Sequence, residues 1–353
     1  MTGAKPGRIH WFLTFWLFIL SAVAFLDRVN ISVAGASIAS AYHLTNVQLG
    51  TVFSALLWGY ALFQTLGGRL ADRFGPRRVL TMGVIWWGVF TALTAAVPGN
   101  IERPLILFVA VRFLLGAGEA VVYPASNQFV SRWIPSQERG IANGWIFAGV
   151  GAGAGLSPPL ITFLMLHYGC RASFFVCALL GLFVGAAWFL FARDSPAEHP
   201  RVSGEELAFI RSGLTTVEHN RKLVPWMRVF TSKDVLGVTV SYFCFGYVAW
   251  IFFSWFYIYL AQVRGLNLKA SALYAMLPFL AMAAGCTIGG LMSDRITRFR
   301  GPRLGRCIFA SVVILCAAAF IVLGAKAENA QVASIVLAGG AGVLYLAQSS
   351  FWS

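Results

Sequence analysis

Ten separate stretches of this chain are apolar for long enough to cross a lipid bilayer, and nothing else in the sequence limits its fold so severely. A transmembrane helix needs about 20 apolar residues to span the hydrocarbon layer. Runs of that kind cover residues 11–35, 48–68, 79–98, 104–127, 140–166, 171–192, 236–261, 271–292, 305–324 and 331–353. The chain is therefore expected to be an all-α, polytopic membrane protein.

Composition agrees. Of 353 residues, 58% are hydrophobic and only 11% are charged, against about 25% charged in average soluble chains. A soluble reading would need one oversized apolar core. Six cysteines stand singly, mostly in apolar runs and without a C-x-x-C pair, so they read as small buried hydrophobes rather than disulfides or metal ligands. The net charge of +14 invites a nucleic-acid reading, but the placement of the basic residues opposes it. Of 27 Lys and Arg, five lie in or at the edge of alternate loops (Arg103, Arg171, Arg264, Lys269, Lys326), two lie deep within spans, and the other twenty lie in the N-terminus or in or at the edge of the remaining loops. Basic residues collect on the cytoplasmic side. The N-terminus is expected inside, and the high pI needs no nucleic acid.

The two basic residues inside spans are Arg28, beside Asp27, and Arg112, seven residues before Glu119. A charge at the bilayer centre costs about 2.5–3.5 kcal/mol on insertion scales, so such residues almost always line a polar pathway. Neighbours on a helix lie 100° apart, so Asp27 and Arg28 cannot share a face. Arg112 and Glu119 lie two turns apart on one stripe and can address the same cavity. Fixed arginines suit an anionic cargo. A buried carboxylate changes its proton affinity when charge arrives nearby, so Asp27 and Glu119 are candidates for a coupled proton. The alternative is that these groups are satisfied ion pairs holding helices together.

A polar stretch, 193–234, separates six spans from those that follow. Gly68-Arg69-Leu70-Ala71-Asp72-Arg73 follows the second span, and Gly290-Leu291-Met292-Ser293-Asp294-Arg295 follows the eighth. The same G-x-x-x-D-R pattern thus recurs at one place in each half, as in transporters built from repeats. Followed by further basic residues, it resembles the signature of the major facilitator superfamily. Within that superfamily, Leu26-Asp27-Arg28-Val29-Asn30-Ile31-Ser32, Arg112-Phe113-Leu114-Leu115-Gly116-Ala117-Gly118-Glu119-Ala120, Ser254-Trp255-Phe256-Tyr257-Ile258-Tyr259-Leu260 and Glu198-His199-Pro200-Arg201-Val202-Ser203 resemble the anion:cation symporter family. Its members carry sugar acids such as galactonate, glucarate and hexuronate, phthalate, tartrate and other organic anions.

The resemblance implies a major facilitator fold of two six-helix halves. Residues 1–192 would be the N-terminal half, 193–234 the cytoplasmic linker, and 235–353 helices seven to ten of the C-terminal half. Because family members have twelve helices, the chain reads as truncated after helix ten, and the ten-helix form is expected to be inactive by itself. The resemblance also implies proton-coupled uptake of a small organic anion by alternating access. The expected setting is the bacterial inner membrane, with the protein a monomer. In such carriers the residues matching Asp27 and Glu119 move the proton and the one matching Arg28 grips the cargo carboxylate. Tyr60 matches a cavity tyrosine, with ordinary packing as its alternative. Arg112, Asn127, Ser349 and Trp352 complete the expected substrate set; for Asn127, Tyr123 and Asn143 interhelical hydrogen bonding is preferred over binding of cargo hydroxyls. Where galactonate-type carriers place a glutamine, this chain has Val150, which favours a less hydroxylated anion.

Asp72, Arg73, Asp294 and Arg295 read as gating charges at cytoplasmic helix ends. The glycine-rich run 149–155 follows no strand, so close helix packing is preferred over a dinucleotide loop. Pro158-Pro159 beside it gives a loose likeness to drug/proton antiporters, which two cavity arginines oppose. No nucleophile–base set, phosphate loop or metal cluster stands out, so no enzyme, metal or cofactor is expected. An anion exchanger without proton coupling, and a receptor that binds without transport, remain as alternatives.

Overall fold

A computed structural model describes residues 8–98, 103–135, 138–214, 231–301 and 303–352, apart from the side chains of Gly140, Asp294, Ser349 and Trp352. The described chain forms two compact units, Met1–Thr215 and Thr216–Ser353. Among the described residues, nine helices are long and apolar enough to cross a membrane.

In the first unit, α1 (Ile9–Ala41), α2 (Asn46–Phe74), α3 (Pro76–Ala96), α4 (Pro104–Glu119), α5 (Val122–Trp133), α6 (Arg139–Tyr168) and α7 (Cys170–Phe191) precede a short α8 (Gly204–Gly213). Helices α1 and α2 outrun the apolar windows at both ends, while α3 and α7 end slightly short of theirs. Thr45 and Gln48 form a reciprocal capping box at the start of α2, and the left-handed φ of +83° at Gly75 turns the chain sharply into α3. Helices α4 and α5 make one span, Pro104–Trp133, broken after Glu119. Pro124 explains the break: it has no N–H for the carbonyl four residues earlier, and its ring crowds that carbonyl.

Helix α1 packs on α6, α2 on α4 and α3 on α7. The closest approaches use glycine. A side chain at Gly153 would overlap the backbone of Ala22, and one at Gly59 or Gly116 would overlap the facing backbone of α4 or α2. The glycine-rich run of α6 is therefore a packing face.

Helix α8 lies in the stretch the sequence assigns to a linker, yet it docks on the first unit. Glu206 is fully buried. Its Oε1 accepts from the His10 backbone N–H at 3.1 Å and lies 2.7 Å from His10 Nδ1. Glu138, at the start of α6, lies 3.5 Å from the other ring nitrogen.

The second unit holds α9 (Lys233–Ile258), extended by a wider turn over Tyr259–Val263, then α10 (Leu268–Arg300), α11 (Phe309–Lys326), α12 (Ala330–Leu346) and α13 (Gln348–Trp352). Helix α10 packs on α12, with Gly285 against the Gly342 backbone and Gly289 against Leu346. This is the arrangement of α2 on α4, so the sequence repeat recurs in the packing. The expected span 331–353 differs from expectation. It forms a 17-residue helix that ends at Leu346, followed after Ala347 by the separate turn of α13. All six cysteines are free, and only Cys177 is buried. The reading of the others as buried fillers is corrected: apolar side chains of a bilayer protein also face outward, toward lipid.

Candidate functional site

The expected charges of α1 and α4 meet inside the first unit. Asp27 is 2% exposed, Arg28 6%, Arg112 2% and Glu119 0%. Arg28 Nε donates to Glu119 Oε2 at 2.5 Å, a salt bridge between α1 and α4. The helix break places Glu119 at the last turn of α4, where it meets α1. The Arg28 guanidinium also lies 4.6 Å from the Phe25 ring centroid and 4.5 Å from that of Tyr60 on α2. Two ring faces and a carboxylate thus fix the plane of the cation.

Asp27, one residue away, points elsewhere. Its Oδ2 accepts from Thr91 Oγ1 of α3 at 3.1 Å. The adjacent residues therefore serve opposite flanks of α1, as their 100° separation requires. Arg112 lies in electrostatic reach of Glu119, Asp27 and Arg28. Its Nε, with Glu119 Oε1 and Asp27 Oδ1, is buried without a hydrogen-bond partner among the described residues. Such atoms cost free energy unless something pairs with them. Arg112 and Glu119 do not bond each other; Glu119 is taken by Arg28.

Apart from Tyr60, the remaining expected residues lie away from the Arg28–Glu119 pair or outside the described side chains. Tyr60 is half-buried and receives a hydrogen bond from Gln64 at 3.3 Å. Tyr123 bonds Ser21 at 3.0 Å and stacks on Phe147. Asn127 is exposed and Asn143 is half-buried on the first unit, while Val150 is buried. Asp72 accepts from Gln128 at 2.5 Å, and the Arg73 guanidinium stacks over Phe74. Neither forms a salt bridge among the described residues. Arg295 is exposed near the end of α10. The side chains of Asp294, Ser349 and Trp352 lie outside the described residues, although their backbones are helical. Among the described residues no group of three His, Cys, Asp or Glu could hold a metal ion.

Sequence reasoning missed Phe25, Thr91 and Cys177. A threonine or cysteine inside an apolar run carries no spacing signal of its own. Only the packing of α3 and α7 on α1 brings these two to Asp27.

The profile of the Major Facilitator Superfamily matches residues 17–353. The chain is 36% identical over 334 residues to the "Probable sulfoacetate transporter" of Cupriavidus necator, covering 94% of this chain and 76% of that one. It is 31% identical over 302 residues to the "Probable galactarate/D-glucarate transporter" of Bacillus subtilis, covering 83% of this chain and 66% of that one. Among solved structures, a bacterial homologue of the human lysosomal transporter Spinster superposes with a TM-score of 0.77 at 19% identity. That match covers 99% of this chain and 75% of the other, and it speaks to the fold alone.

Proposed function

Because this chain belongs to the major facilitator superfamily, we propose that it is a secondary transporter moving a small organic anion together with protons by alternating access. The observation that carries this reading is the buried set of two arginines and two carboxylates in one membrane bundle. Formally the set is neutral. An anion bound there leaves it negative by the anion's charge, in a medium where unbalanced charge is expensive. A proton taken up by a carboxylate restores neutrality, so cargo and proton favour each other's binding.

Arg28 is the group that grips the cargo's acid, using the fork that now holds Glu119. Cargo displaces Glu119, and Asp27 and the released Glu119 are the carboxylates that take up the coupled proton. Arg112 supplies the second positive charge toward the same space. Tyr60 and Phe25 orient the Arg28 fork. The curated relatives suggest the cargo class: short acids bearing a carboxylate or sulfonate, or sugar diacids. Asn127, Ser349 and Trp352 remain candidates for contacts to the rest of the cargo, and Asp72, Arg73, Asp294 and Arg295 for gating. In this reading the protein works as a monomer in the bacterial inner membrane, with its N-terminus in the cytoplasm.

The Arg28–Glu119 salt bridge specifically favours a second reading, an anion exchanger in which that pair stays intact and no proton moves. Thermal unfolding of the purified protein with sulfoacetate, D-glucarate, galactarate or glucose tests cargo class first. An acid should raise the melting temperature and glucose should not. Stabilisation by glucose alone would contradict the anion reading.

A further inference from the structure

Asp27 turns toward α3 and α7, away from the Arg28–Glu119 salt bridge. Two polar tracks run from Asp27 along α3 and α7. On α3, Thr91 Oγ1 donates to Asp27 Oδ2 at 3.1 Å; Thr94 follows one turn later, its hydroxyl donating to the Phe90 carbonyl at 2.9 Å and its oxygen left to accept. On α7, Cys177 lies within electrostatic reach of the Asp27 carboxyl. Asn30 Nδ2 donates to Cys177 Sγ at 3.5 Å, and Ser173 Oγ lies 3.0 Å from Asn30 Oδ1. Ser173 in turn donates to the Cys170 carbonyl at 2.8 Å. Asp27, Asn30, Thr91, Thr94, Ser173 and Cys177 are each less than 5% exposed. This is an expensive set of groups to bury in a bundle unless their bonds are used.

Both tracks end at the same place. A cavity of about 150 Å³ opens where α1, α3, α4 and α7 converge at the end of the unit opposite α8, and Ser37, Tyr42, Thr94, Cys170, Arg171 and Phe174 are in its wall. At its rim Arg171 donates to the Val97 carbonyl at 3.2 Å, and Tyr42 donates to the same oxygen at 2.6 Å. With the basic loops cytoplasmic, this end faces outward.

We propose that protons reach Asp27 from this outer cavity along the Thr94–Thr91 track, by a route separate from the one the anion takes. The inference rests on the reading of Asp27 as a proton carrier. The step balances simply. Hydronium in the cavity gives its proton, through water beside Thr94, to the Thr91 oxygen. Thr91 passes its own hydroxyl proton to the Asp27 carboxylate, and neutral water and neutral threonine remain. Asn30, Ser173 and Cys177 are positioning residues that hold the carboxyl toward Thr91. The charged groups facing Asp27 are Arg112 and Glu119 of α4, with Arg28 adjacent on α1. A proton arriving from behind α1 therefore need not pass Arg28 or the bound cargo.

Thr91→Val and Thr94→Val remove one hydroxyl each at nearly constant volume. In proteoliposomes each should slow pH-gradient-driven uptake of the best-binding acid at least tenfold. Anion counterflow at equal pH should stay within twofold of wild type, which also shows that the variant is folded. Thr91→Ser, which keeps the hydroxyl, should recover most of the driven rate; a purely structural role for the threonine methyl would not give that pattern. If Asp27→Asn abolishes accumulation while both valine variants accumulate at the wild-type rate, the route is wrong and the role of Asp27 stands. If Asp27→Asn itself accumulates cargo, the underlying reading of Asp27 fails.

Discussion

Arg28 is the residue on which the proposed chemistry turns, because one planar cation is held by two aromatic rings and one carboxylate at once. Lysine keeps the charge but offers a point ammonium without the fork or the flat face. Arg28→Lys should therefore lower cargo affinity by about tenfold or more, the scale of one charge-assisted hydrogen bond. Binding titrations with the best-binding acid would check this. Glu119→Gln should behave differently. It keeps the shape and loses the titratable proton, so counterflow should persist while pH-driven accumulation stops. Accumulation by Glu119→Gln together with accumulation by Asp27→Asn would place coupling elsewhere. The sequence made Asp27, Arg28, Arg112 and Glu119 legible because charge inside an apolar run is conspicuous. It could not show which partner each would choose. Glu119 bonds Arg28, 91 positions away, rather than Arg112 on its own stripe, and only a fold that brings α1 and α4 within reach of these long side chains decides that.

At the scale of elements, the helices were legible from hydropathy, and their ends and breaks were not. The break after Glu119 follows from Pro124, a local rule that the apolar window of 104–127 hides. The docking of α8 was likewise invisible, because the stretch around it is polar and reads as a linker. Its anchor is the buried Glu206 on His10. Glu206→Ala leaves the His10 groups without their acceptor and should cost about 1–3 kcal/mol. A lower melting temperature of the detergent-purified protein would report it, and an unchanged one would mean that α8 is held by other contacts. Gly153→Leu should be worse tolerated, since the added side chain collides with the Ala22 backbone. Overpacking of this kind costs about 1–3 kcal/mol or more.

A pH-dependent element follows α7. His199 Nε2 donates to the Phe191 carbonyl, and its Nδ1 accepts from the Arg201 N–H. Burial, with Arg193 and Arg201 nearby, holds its pKa below the ordinary 6.5 despite the Phe191 bond, which pulls it up. The neutral ring is thus the folded form. Its contribution is complete above pH 6.5, where both states are neutral, and is lost as pH falls through the lower folded value. His199→Asn should flatten the melting temperature between pH 7 and pH 5, relative to wild type.

For the molecule as a whole, the repeat read from two G-x-x-x-D-R motifs reappears as α2 on α4 and α10 on α12, each joined through glycine. The glycines that make these contacts (Gly59, Gly116, Gly285, Gly289) are not those of the motif, so the motif marked the repeat without showing its packing. The central claim is that anion movement is tied to proton movement. It is tested most directly by reconstituting the protein in proteoliposomes and following a radiolabelled acid, chosen by thermal shift, under an imposed pH gradient. The account predicts accumulation above the external concentration when the interior is alkaline, collapse of that accumulation on adding a protonophore, and alkalinisation of the outer medium as cargo enters. Uptake that only equilibrates whatever the gradient, yet accelerates when the vesicles are preloaded with unlabelled acid, would contradict symport and establish exchange.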